Sequence, residues 1–233
     1  MTKRYLKDRI DQCKSNPNLE VDVKTKNFNM YVQSAESWLP DHLVYDSMEI
    51  VNLNDYKGEQ CWTGIDLSSV SDLSAIGLMF PPNEFRKINP DKYVFKVIPY
   101  VPGLAIQESS NRDFYQRCIN AGHLRDTKSK AVDYDEILKD LLQINQNLVI
   151  IKNSYDQWNS TQFTKDAINE GLEMVEFSQS LANFNIPTKE FERLLREGKV
   201  VIDANVVVRW CFGNCQLKID HNDNCKPVKA EDD

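Results

Sequence analysis

The 233-residue chain lacks any apolar run near the roughly 18 residues that a membrane-spanning helix needs. Its first dozen residues, MTKRYLKDRIDQ, are charged throughout and carry no secretory pattern. With no export signal, the six cysteines are expected to be thiols and not disulfides. Positive charge is not in excess either: the net charge is −7 and the isoelectric point about 5.1. That balance excludes a general nucleic-acid coat, so any such contact must come from a local patch. Nothing reads G-x-x-x-x-G-K-[ST], which excludes a phosphate-cradling motor loop in this chain. Nothing reads G-x-S-x-G, and His42 and His123 stand beside no nucleophile pattern, so a covalent hydrolase has no support. No internal repeat or low-complexity tract is present.

What is there reads as one globular domain with an appendage. Hydrophobic residues make up 41% and charged residues 27%, and the length suffices for a sizeable core. Residues 1–57 are polar and irregular, with turn signals at Asn16-Pro17-Asn18 and Leu39-Pro40-Asp41. They read as a linker or docking arm, with short helical segments expected around 4–13 and 28–38. Residues 58–233 read as the domain proper. Strands are expected at 60–67, 73–80 and 93–100, joined as an antiparallel meander. Helices are expected at 106–121, 133–144 and 161–170, and from Pro187 to about Gly198, with strands at 148–151 and 172–177 between them. Residues 203–215 are ambiguous and are read as helix. A meander followed by alternating helices and strands is an α/β mixed sheet with helices on both faces, the order of a ribonuclease H-like fold.

In such sheets, functional groups gather beyond the carboxyl ends of the parallel strands. Two aspartates fall where this rule looks. Asp66 lies late in the first strand, in Gly64-Ile65-Asp66-Leu67-Ser68. Alternation puts it on a face with Trp62 and Gly64, opposite Cys61, Thr63, Ile65 and Leu67. A carboxylate inside a mostly apolar strand is costly unless it is paired or binds a cation. Asp156 follows the fourth strand, in Tyr155-Asp156-Gln157-Trp158. Two carboxylates so placed suit two-metal phosphodiester hydrolysis with Mg²⁺ or Mn²⁺. The bland reading is that Asp66 ends a strand and Asp156 caps a helix. Asp72, in the expected hairpin, is a turn former that could also support Asp66.

At these residues the chain resembles the C-terminal nuclease half of the large terminase subunit of tailed double-stranded DNA phages. Lys26-Asn27-Phe28-Asn29 and Ser37-Trp38-Leu39 look like the segment joining that family's ATPase and nuclease domains. Gly64–Ser68 with Asp72-Leu73-Ser74-Ala75 looks like its first metal-binding strand and hairpin. Gly122-His123-Leu124 and Val132-Asp133-Tyr134-Asp135 resemble its middle region, and Tyr155-Asp156-Gln157-Trp158 its second metal aspartate. Asn205, Arg209-Trp210 and Lys226-Pro227-Val228-Lys229 resemble its late motifs.

The resemblance implies a nuclease using two Mg²⁺ or Mn²⁺ ions to cut concatemeric phage DNA during genome packaging, in the cytoplasm of the bacterial host. Asp66 and Asp156 would be catalytic metal ligands, Asp72 a supporting carboxylate, and Lys226 and Lys229 candidates for contact with double-stranded DNA. It also implies a terminase ATPase domain, which this chain does not contain, together with a small terminase subunit and a portal as partners, and no membrane. The chain is then expected to be a piece of a longer protein. The family carries a third acidic ligand shortly after the Lys-Pro motif. Asp220, Asp223, Asp232 and Asp233 are available, but none matches in position. A catalytically incomplete docking or DNA-binding module of the motor is therefore the alternative. Another ribonuclease H-like enzyme, a resolvase or transposase, would lack the matches at 26–39 and 205–229.

One competing signal is Cys211, Cys215, His221 and Cys225, whose C-x3-C-x5-H-x3-C spacing offers zinc-ligand types. Cys211 and Cys215 read better as part of a helix and its exit.

Overall fold

A computed structural model describes residues 5–10, 37–68, 72–157 and 160–230. Residues 5–10 are helical. The strands are β1 (Met48–Glu49), β2 (Gln60–Asp66), β3 (Ser74–Phe80), β4 (Tyr93–Val101), β5 (Arg125–Asp126), β6 (Val149–Tyr155), β7 (Met174–Glu176), β8 (Val200–Asp203), β9 (Cys215–Ile219) and β10 (Cys225–Lys229). The helices that follow residues 5–10 are α1 (Asp41–Asp46), α2 (Gly103–Glu108), α3 (Arg112–Asn120), α4 (Tyr134–Asn145), α5 (Thr161–Asn169), α6 (Leu181–Arg196) and α7 (Val206–Gly213). The main sheet runs β1-β8-β4-β3-β2-β6-β7, with β5 on the end of β4. Strand β3 is antiparallel to its neighbours β2 and β4, and every other pairing in this sheet is parallel. Strands β9 and β10 form a separate antiparallel hairpin.

The alternation in β2 and β3 decides which face is core. Cys61, Thr63 and Ile65, with Ser74, Ile76, Leu78 and Phe80, point inward. They meet Ile137, Leu138 and Leu141 of α4 and Phe163 and Ala167 of α5. On the opposite face, Phe95, Val97, Val200 and Ile202 are covered by α1, α6 and α7 through Val44, Phe191, Leu195, Val208 and Phe212. That second layer covers the β4–β8 half. Over β2, β3 and β6 the same face carries Trp62, Gly64 and Asp66, then Ala75, Gly77 and Met79, then Lys152 and Ser154. None of these eight is buried.

Several sequence expectations change here. The segment at 106–121 is two helices, broken at 109–111, where the Ser109 hydroxyl accepts the Asn111 amide and ends the run. Strand β6 extends to Tyr155 and has one half-open face, so it is not buried on both sides. Helix α6 starts at Leu181 and carries Pro187 inside it, because the Ser180 hydroxyl caps it seven residues before the proline. Strands β1, β5, β8, β9 and β10 are not among the sequence expectations. β8 is a short apolar run buried between β4 and β1. The expected boundary at residue 58 also does not mark an edge of the packing. Leu39, Val44, Val51 and Tyr56 lie in the same clusters as the sheet, and β1 pairs with β8. Residues 26–29 lie outside the described residues.

Among the described residues no helix is long and apolar enough to cross a membrane.

Candidate active site

Asp66 is the last residue of β2, and Asp156 follows directly on β6. The two strands are parallel neighbours, and their last pair is Ile65 with Tyr155. The next residue on each strand is the aspartate. Inward packing of Cys61, Thr63 and Ile65 forces Asp66 onto the open face, beyond Trp62 and Gly64.

Local hydrogen bonds hold both chain exits. After Asp66, the Ser68 amide donates to Ser74 Oγ at 2.9 Å, and the Ser68 hydroxyl donates to the Asp72 carbonyl at 2.6 Å. The Tyr134 hydroxyl, from the first turn of α4, donates to the Ser68 carbonyl at 2.8 Å. After β6, the Ser160 hydroxyl donates to the Asp156 carbonyl at 2.7 Å.

The electrostatics report the closeness of the acids. Asp66 is raised above the ordinary aspartate range, first because protein crowds its carboxyl, then by the charge of Asp156, then by that of Asp72. The residue as a whole stays open to solvent, so a ligand can reach it. Asp72 turns to Lys229, Oδ1 to Nζ at 3.0 Å, a pair about three-quarters exposed on both sides (75% and 74%). This ion pair ties the β2–β3 turn to the β9–β10 hairpin. Lys226 donates to the Gln179 carbonyl at 3.0 Å, beyond β7. Strand β10 is thus tied at Lys226 to the loop after β7 and at Lys229 to the turn after β2, the strand that ends in Asp66.

The other residues read from the sequence separate. Asp220 and Asp223 sit in the turn of the hairpin. Asp220 is lowered chiefly by its bond from the Asn224 side chain, and it also accepts the Asn222 and Asn224 amides. Asp232 and Asp233 lie outside the described residues. Cys215 pairs with Lys229 at one end of the hairpin and Cys225 with Ile219 at the other. At about 3.3 Å per residue those ends are more than 10 Å apart, too far for one tetrahedral zinc. Among the described residues no group of three or more His, Cys, Asp or Glu stands together as a metal cluster.

Sequence reading names Asp66, Asp156, Lys226 and Lys229 as candidates. It missed Tyr134, Ser74 and Ser160 as supports, and the Asp72–Lys229 pair. Tyr134 lies in a motif quoted from the sequence, but its partner is 66 positions away and nothing local names it.

The family model for the endonuclease domain of the terminase large subunit matches residues 3–232. Protein YmfN of Escherichia coli K12 is 26% identical over 241 residues, covering 98% of this chain and 52% of that protein. The large terminase subunit of Enterobacteria phage HK97 is 25% identical over 221 residues, covering 92% of this chain and 42% of its own length. The crystal structure of the HK97 large terminase superposes with a TM-score of 0.71 at 20% identity, over 99% of this chain and 48% of that one. The large terminase nuclease of thermophilic phage G20c, crystallised with bound magnesium, superposes at 0.51 with 8% identity, over 85% and 90% of the two chains. The chain thus spans about half the length of the curated relatives it matches, and its mixed sheet is the ribonuclease H-like fold of terminase nucleases.

Proposed function

Because the chain belongs to the family of terminase large subunit endonuclease domains, we propose that it is a metal-dependent DNA endonuclease acting during phage genome packaging. The observation that carries this reading is the alignment of Asp66 and Asp156 at the carboxyl ends of adjacent parallel strands, on the uncovered face of the sheet.

The donor set fits Mg²⁺ or Mn²⁺. Both groups are hard oxygen donors. The elevation of Asp66 by the charge of Asp156 is a repulsion that a divalent cation would relieve. Two such ions, when bound, would lower the pKa of an attacking water and neutralise charge on the leaving oxygen. Asp66 and Asp156 hold the site, and the Tyr134 and Ser68–Ser74 hydrogen bonds keep the loop after Asp66 in place. Gly64 and Gly77, paired across β2 and β3, keep the neighbouring floor low. Lys226 and Lys229 offer cations to a DNA backbone. The pair of Lys229 with Asp72 is exposed, and such pairs contribute only about 0–1 kcal/mol, so exchange for a phosphate is cheap. The magnesium bound by the G20c nuclease supports the same metal class. The ATPase domain, the small subunit and the portal remain partners proposed from family resemblance, as does the host cytoplasm.

The test is nicking of supercoiled plasmid in Mn²⁺ or Mg²⁺. Wild type should nick slowly and without sequence preference, and Asp66→Ala and Asp156→Ala should each reduce the rate at least a hundredfold, to background. Equal activity in all three would sink the reading. It would favour the alternative, a catalytically incomplete docking module, to which the lack of a third clustered acid among the described residues lends support.

A further inference from the structure

The two carboxylates align only because the register between their strands changes once. Gln60 and Cys61 lie opposite Val149 and Ile150, 89 positions further along the chain. Trp62, Thr63, Gly64 and Ile65 lie opposite Lys152, Asn153, Ser154 and Tyr155, 90 positions on. Ile151 is the extra residue of this bulge. Asp66 and Asp156 are also 90 positions apart, so the register downstream of the bulge is the one that sets them level. In the upstream register Asp66 would face Tyr155. A slip of one residue also moves each side chain of a strand to the opposite face.

Two positions beyond the bulge, the shifted register is locked. The Thr63 hydroxyl donates to Asn153 Oδ1 at 2.7 Å, and both residues are buried, at 3% and 1% exposure. Asn153 Nδ2 donates onward to the Glu173 carbonyl at 3.1 Å, just before β7. Thr63 and Asn153 are the opposed pair at that point of the ladder. Each lies three residues before its aspartate. Three residues is an odd step along a strand, so the clamp faces the core while Asp66 faces the open side. In the upstream register Thr63 would meet Lys152, and Asn153 would lose its buried donor.

We infer that Thr63 and Asn153 are positioning residues. Their buried hydrogen bond, with the Ile151 bulge, fixes the register that brings Asp66 and Asp156 together as one cation site. The clamp never touches the cation and acts through the backbone. It rests on the metal-site reading above.

The test measures Mn²⁺ affinity by calorimetry on the whole chain, well below its melting temperature. Thr63→Val keeps the shape and removes the hydroxyl, and should weaken Mn²⁺ binding about tenfold, as loss of an outer-sphere support does. Thr63→Ser keeps the hydroxyl and should bind within about twofold of wild type. A purely structural role would lower the melting temperature of Thr63→Val and leave its affinity unchanged. Should Thr63→Val fail to fold, the double variant Thr63→Val/Asn153→Leu removes both partners, leaves no unpaired amide side chain, and must still bind Mn²⁺ weakly. Wild-type affinity in either folded variant, with binding lost in Asp66→Ala, overturns the clamp and spares the site. Equal Mn²⁺ binding in wild type and Asp66→Ala overturns the site itself, and the clamp with it.

Discussion

Asp66 is held above an ordinary aspartate by crowding and by the charges of Asp156 and Asp72. A carboxyl raised in the folded state binds more protons there than in the unfolded chain. Its stabilising contribution is full below the unfolded value and is lost as pH rises through the folded one. Without a cation, ionised Asp66 therefore weakens the fold near neutrality. Asp66→Asn is expected to raise the melting temperature near pH 7 in chelator. The gain should shrink as pH falls through the carboxylate range, which thermal melts across that range will show. Mn²⁺ should then stabilise wild type by mass action and leave the Asn variant unmoved. The aspartate itself was legible in the sequence, because a carboxylate in an apolar strand needs a reason. Asp156 is named by the same reading, but that the two stand level is not, since their register spans 90 positions and turns on a single bulge.

Caps and loop anchors decide the elements of the fold. Asn205 accepts the Val207 and Val208 amides at the start of α7 and donates to the His123 carbonyl, all at 6% exposure. Asn205→Ala should cost about 2 kcal/mol in chemical denaturation, by loss of a cap and of a buried bond. Arg86, only 4% exposed, donates to the carbonyls of Pro81, Ile88, Asn89 and Lys92 and lies over the Tyr56 ring. Arg86→Met removes these charged donors from part-buried carbonyls and should cost about 3 kcal/mol, read the same way. The cap of α4 could be read directly, because Asp133 accepts the Asp135 and Glu136 amides within one turn. Pro187 misled the reading of α6, since a proline marks a first turn well but does not forbid a later position. The role of Arg86 had no local signal, because an arginine in a polar loop looks solvated until the loop folds around it.

The whole molecule combines an acidic balance with a site that, on the proposed function, meets a polyanion. A net charge of −7 leaves DNA binding to a few local cations, so affinity should be low and steeply salt-dependent. Removing Lys226 and Lys229 together should flatten the slope of log affinity against log salt by about 2, one for each phosphate contact, in anisotropy titrations with duplex DNA. Residues 37–57 are bound into the same body. Arg209 holds Asp41 through two bonds of 2.8 and 2.6 Å and lies over the Tyr45 ring, and the Trp38 indole donates to Glu192 at 3.0 Å. Composition misjudged this segment, because its apolar residues are few and spaced without period, yet Leu39 and Val44 enter one core cluster and Val51 and Tyr56 another.

The sequence by itself determined the class of sheet, the meander at its centre, the two aspartates at its rim and the lysines that follow. Each of these rests on short-range regularities: alternation, capping and residue type at a strand end. Only the tertiary structure decided that Asp66 and Asp156 stand level, that β10 is tied to the turn after β2, and that Leu39, Val44, Val51 and Tyr56 join the core. Those outcomes depend on register, and register is set by contacts between residues tens of positions apart, which no local pattern encodes.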